Sequence, residues 1–409
     1  MMVSVLADTV LPLIRTRSPF LDWSAATSHG EQMHEAVDIL EAAADTADPG
    51  ELYTVTHKAV ASAMTVIGRA DDSNGVIGDA CRRLLDLHPV AAARAGASPS
   101  TLVTWMIKFQ FHAEVDFFEL DVVDYAPAFG ERGLAKYRQK LDEIKATLEP
   151  RSEELWGGPN RGEWFRLEWN AQRLAVLDRD VEAIIRTHSR DMKVAAWLED
   201  TSKALEEIGE IDLAIDWAER ATLFDRGHQS LTAARTWCRL LEEHRPGEVL
   251  DARLTVFRRW PSQSTASALQ ASAGPEWDAY RDEVLAALAD SPRDAVLFTL
   301  HNLDDPLHAW TLAHSLALTD AAAWSDLLEA YETIDPAAVL PVHRELVEST
   351  LLHADVRNYR SAALRLRKMR KLAAGTPAAA ELDAYIAGLR KTHSRRKRML
   401  QEFDRCKLP

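Results

Sequence analysis

The chain has 409 residues, 47% of them hydrophobic and 27% charged, proportions that exclude whole-chain disorder. Its formal net charge is −15, and its three cysteines, Cys81, Cys238 and Cys406, lie far apart, which excludes a disulfide framework and a paired-cysteine metal site. No run approaches the ~18 consecutive apolar residues of a membrane span, and "MMVSVLADTVLPLIRTR" has no basic region ahead of its apolar residues, unlike a signal peptide. These features lead us to expect a soluble protein of the cytoplasm that does not engage a membrane.

Apolar residues then recur at helical spacing. In "HGEQMHEAVDILEAAAD", Met33, Ala36, Val37, Leu40 and Ala43 share one face, and in "GVIGDACRRLLDLH", Val76, Ile77, Ala80, Leu84 and Leu87 do the same. The stretches "TADPGE" (46–51), "DDSNG" (71–75), "GASPS" (96–100) and "GTP" (375–377) carry the residues that stop and cap helices. Alternating β-branched runs are nearly absent. The expected fold is all-α with short connections.

An internal repeat follows. "GEIDLAIDWAERA" (209–221) places Gly209, Ala214, Ala218 and Ala221 at offsets that "GEVLDARLTVFRRWP" (247–261) matches with Gly247, Ala252 and Val256, while Arg259 breaks the fourth. Each is preceded by a helical segment, "VAAWLEDTSKALEEI" and "SLTAARTWCRLLEE". In "DDPLHAWTLAHSLAL", Ala309 and Ala313 repeat the four-residue spacing. This is the grammar of tetratricopeptide-like units, in which small residues let paired helices approach closely. Residues 1–150 are expected to form an N-terminal helical region, and residues 151–409 tetratricopeptide-like repeats with a basic C-terminal cap, the whole one continuous solenoid.

Two stretches, "LLDLHPVAAARAGASPSTLVTWMIKFQF…DVVDYAPAFGERGLAKYRQKL" and "NYRSAALRLRKMRKLA…LDAYIAGLRKTHSRRKRMLQEF", resemble the helical region of uncharacterised bacterial SWIM zinc-finger proteins. The resemblance runs over about residues 78–405 and implies a tetratricopeptide-like architecture and a bacterial origin; residues before it fall outside the resemblance, as a separate addition or a helical cap. The finger itself is absent. No Cys-x-Cys pair occurs, no cysteine has a histidine two residues on, and isolated thiols cannot build a thiolate zinc site.

Chemistry-bearing patterns are few. His112, Glu114, Asp116, Glu119, Asp121 and Asp124 cluster in sequence but lack the spacing and glycine of a calcium loop, and read as a solvated acidic connection. "ELWGGPNRGEWFRLEW" lacks the Lys and Ser/Thr of a phosphate loop. Its tryptophans Trp156, Trp164 and Trp169 are either core or an aromatic contact surface for a partner. Nucleophile elbows and kinase signatures are missing. No catalytic residue, metal or cofactor is assigned.

The C-terminal end carries the sharpest signal. Residues 351–409 hold 15 Lys/Arg against 5 Asp/Glu, a balance of +10, which leaves −25 for the remainder. Arg357, Arg360, Arg367 and Lys371 share a helix face, with Arg365, Lys368 and Arg370 expected to widen it. Arg395, Arg396, Lys397 and Arg398 are expected to encircle a last helix that Met399, Leu400 and Phe403 dock. Both sets are candidates for contact with a partner or with phosphate. The expected function is non-enzymatic protein binding or scaffolding, with an unknown protein partner. The alternative is a nucleic-acid-associated protein contacting phosphates through these helices, and a third reading is an enzyme with a site assembled across repeats.

Overall fold

Helix boundaries fall where capping residues put them. In the computed structural model, which describes residues 5–112, 115, 117–150 and 160–409, Asp22 and Asp48 each accept a hydrogen bond from the backbone three residues on. Pro49 follows at the first helical position, where a missing N–H costs nothing. Among the described residues there are twenty-one α-helices and no strand, only an isolated bridge between Leu21 and Ala70. The four connections expected at 46–51, 71–75, 96–100 and 375–377 each span a break between helices.

The chain divides into two compact units, Met1–Phe224 and Asp225–Pro409. The first contains α1 (Val5–Ile14), α2 (Trp23–Ala43), α3 (Pro49–Ile67), α4 (Val76–Arg94), α5 (Pro99–His112), α6 (Val122–Thr147), α7 (Arg161–Leu177), α8 (Val181–Ser189), α9 (Ala195–Glu207) and α10 (Ile211–Leu223). Helix α6 breaks at Gly130, whose φ of 55° suits a residue without Cβ. The second contains α11 (His228–His244), α12 (Val249–Arg259), α13 (Gln263–Ala273), α14 (Arg281–Leu288), α15 (Pro292–His301), α16 (Pro306–Ser315), α17 (Ala321–Tyr331), α18 (Val339–Leu351), α19 (Val356–Ala373), α20 (Ala378–Thr392) and α21 (Lys397–Arg405). The sequence boundary at 150/151 falls inside the first unit, with α7 to α10 on its near side.

In the first unit one apolar cluster runs from Val10 and Ile14 of α1 through Met33 and Leu40 of α2 to Tyr137 and Leu141 of α6. Residues from Val10 to Ile77, ahead of the point where the resemblance begins, thus contribute to this core. Within it lies a polar chain: His57 Nδ1 stands 2.9 Å from His88 Nε2, and His88 Nδ1 stands 2.8 Å from the Tyr125 hydroxyl. His88 is fully buried, and burial, reinforced by neighbouring His57, pushes its pKa down to about 3. Tyr53 and Trp105 pack their rings against both histidines.

Helices α9 and α10 form a hairpin turned by Gly209, in the left-handed conformation with φ of 83°. Ala214, Ala218 and Ala221 are fully buried, and the Ser202 hydroxyl on α9 donates to the Ala214 carbonyl at 2.7 Å. Small residues let the two backbones lie close together here. The segment with the matching offsets is α12, which follows α11 and buries Ala252 and Val256. Arg259, the residue that breaks the pattern, faces outward and donates through Nε to the Asp225 carbonyl at 3.0 Å.

Candidate interaction surface

The surface is built from the α18–α19 connection, the outer face of α19 and the start of α21. Asp355 caps α19 by accepting from the Arg357 amide at 2.7 Å. Tyr359, Ala362, Ala363, Leu366, Met369 and Ala373 turn one face of α19 into the core. Arg357, Arg360, Arg367 and Lys371 are left on the opposite face, exposed. Their side chains make no hydrogen bond or ion pair among the described residues.

The other three cations of α19 do not widen this face. Arg365 donates to His343 Nδ1 at 3.0 Å and to the Ser325 hydroxyl at 2.9 Å, reaching α18 and α17. Lys368 pairs with Glu332 at 2.7 Å, and Arg370 with Asp383 at 2.8 Å. They lie ~80–140° round the helix from Arg360, within reach of neighbouring helices.

Helix α21 docks as its apolar residues require. Met399 and Phe403 are fully buried beside Leu366 of α19 and Ile386 of α20, and Leu400 is partly buried against them. Arg390 ties α20 to α21 through Asp404 at 2.7 Å. The helix begins at Lys397, however, so the four cations do not encircle it: Arg395 and Arg396 lie in the turn before it, and only Lys397 and Arg398 are helical. That turn ends because Arg396 donates to the Leu351 carbonyl at 2.6 Å, drawing the segment against the end of α18.

The consequence is convergence. Arg395, Arg396, Lys397 and Arg398 line one cleft of about 490 Å³ together with Ala354, Asp355, Val356 and Tyr359. Asp355 is the single acidic lining residue, and its carboxylate is engaged as the α19 cap. Arg395, Lys397 and Arg398 have no hydrogen-bonding or ionic side-chain partner among the described residues. The lining residues of α19 escape sequence reading because nothing in "HADVRNY" signals a cleft. Asp355 is readable as the cap that starts a basic helix, but the approach of that helix start to residues 395–398 is long-range.

Of the three tryptophans, Trp164 and Trp169 lie within the described residues, on different sides of α7. Trp156 lies outside the described residues. Trp164 donates through Nε1 to the Glu149 carbonyl at 3.2 Å. Trp169, five residues on and therefore ~140° round α7, is half-buried with the Arg173 guanidinium 5.9 Å from its ring. In the acidic connection Asp121 caps α6 and pairs with Arg173 at 2.6 Å, while Glu114 and Asp116 lie outside the described residues. Among the described residues no group of three or more His, Cys, Asp or Glu side chains is placed to hold a metal ion. No described helix is long and apolar enough to cross a membrane.

Curated proteins provide no match to the chain. The model of a family of unknown function, DUF6880, matches residues 8–402, taking in both units and the N-terminal helices alike, and the chain belongs to that family.

Proposed function

We propose that this protein is a non-enzymatic binding or scaffolding protein of the bacterial cytoplasm, and that its C-terminal cleft receives an acidic segment of a partner protein. The observation that supports this is the set of three cations, Arg395, Lys397 and Arg398, that line one cleft without internal partners. A cation left unpaired in a concavity is available to a carboxylate, and lining charges of one sign concentrate the opposite sign there. The hairpins α9–α10 and α11–α12 belong in this reading to a tetratricopeptide-like solenoid. The likeness of residues 78–405 to the helical region of SWIM zinc-finger proteins is consistent with it.

The test uses fluorescence anisotropy with a fluorescein-labelled glutamate-rich peptide and, in parallel, a duplex DNA of equal charge. The peptide is expected to bind, and to bind less well as salt rises. Each exposed ion pair contributes ~0.5 kcal/mol, so reversing Arg395, Lys397 and Arg398 to glutamate weakens binding at least about tenfold. Unchanged helical circular dichroism in that variant rules out misfolding as the cause. No peptide binding at low salt, or tighter binding of the duplex, overturns the reading.

A further inference from the structure

The basic cleft continues into a surface that is more than basic. Val356 both lines the cleft and opens the outward face of α19. At 100° per residue, Val356, Arg360, Leu364, Arg367 and Lys371 fall at about −40°, 0°, 40°, −20° and 20°, within an arc of roughly 80°. All five are exposed, and the three cations among them have no side-chain partner among the described residues. The stripe is ~22 Å long at 1.5 Å per residue. Its two apolar members, Val356 at 40% exposure and Leu364 at 41%, stand ~12 Å apart along the axis. Leu352, beside the carbonyl that Arg396 holds, is 77% exposed and adds a third apolar side chain at the cleft end.

Phosphate backbones need cations alone, and apolar side chains interspersed among them at helical spacing contribute nothing to that contact. An amphipathic helix uses both. From this arrangement we infer that the partner segment is an acidic amphipathic helix lying along α19. Its carboxylates meet Arg360, Arg367, Lys371 and the cleft cations, and two apolar side chains about one heptad apart rest on Val356 and Leu364. Residues seven apart on such a helix are separated by ~10.5 Å and ~20°, so both reach the two apolar positions from one face. This inference rests on the protein-binding reading above and specifies what that surface selects.

The experiment compares two labelled glutamate- and alanine-based helical peptides of identical charge against the full-length protein. One carries two leucines seven residues apart, and its twin has alanine at both places. Binding of the leucine peptide is expected to be about tenfold tighter, the effect of burying two partly shielded leucine side chains. In the variant Leu364→Gln, at a position that does not line the cleft, the preference for the leucine peptide falls to about threefold, with the alanine twin bound as before. Leu364 is exposed, so the variant folds, and its retained affinity for the alanine twin verifies this. Equal affinity of the two peptides for the unaltered protein overturns the inference while leaving acidic-segment binding intact. Failure of both peptides to bind overturns the two together, as does tighter binding of a duplex DNA than of either peptide.

Discussion

At the scale of the residue, the most consequential environment is that of His88. Its imidazole is fully buried between His57 and the Tyr125 hydroxyl, and both ring nitrogens are hydrogen-bonded to uncharged groups. A protonated ring there would lose hydration without gaining a carboxylate, so its folded pKa of about 3 lies below the ordinary histidine value of 6.5. The unfolded chain therefore binds the extra proton between these limits, and stability rises with pH across that window. Read downward, the protein loses stability as pH falls below 6.5, by up to about 4 kcal/mol once pH 3 is reached. Urea unfolding at a series of pH values checks this, and His88→Gln is expected to flatten the slope. His343, buried beside Arg365 with its pKa pushed down to about 4, adds to the same trend in the second unit. Neither environment was legible in the sequence, because a histidine on an amphipathic helix looks the same whether its neighbours are water or aromatic rings.

At the scale of the element, the helices were the most legible part of the molecule. The face Met33, Ala36, Val37 and Leu40 is fully buried, as its spacing requires, and Ala214, Ala218 and Ala221 hold the α9–α10 hairpin closed. Ala218→Leu is expected to destabilise the protein by about 2 kcal/mol, through overpacking against α9, seen as a lowered thermal midpoint. Helix α21 offers the converse test. It is short and depends on Met399 and Phe403 for its place in the core, so Phe403→Ala is expected to cost about 3–5 kcal/mol. Because α21 carries Lys397 and Arg398, the same substitution is expected to weaken binding of the acidic peptide, with hydrogen exchange rising first in residues 397–405. The exact start of α21 was the part that periodicity missed. Four cations in a row look helical by propensity, but the hydrogen bond from Arg396 to Leu351 is a long-range contact with no local signature.

At the scale of the whole molecule, charge is partitioned: −25 over residues 1–350 and +10 over residues 351–409. That partition was visible in the sequence, whereas the convergence of Arg395 to Arg398 on the start of α19 was not, since the two segments meet only after α20 has folded the chain back. The role of Arg396 then separates it from its three neighbours. Under the proposed function Arg395, Lys397 and Arg398 bear on what the protein captures, whereas Arg396 holds the end of the chain against α18. In a living cell these are different phenotypes. Loss of any of the first three should leave steady-state protein levels unchanged and reduce partner occupancy. Loss of Arg396 should expose α21 to quality-control proteases and lower abundance itself. A deep mutational scan that scores abundance and partner capture separately would thus split one uninterrupted run of four cations into two classes.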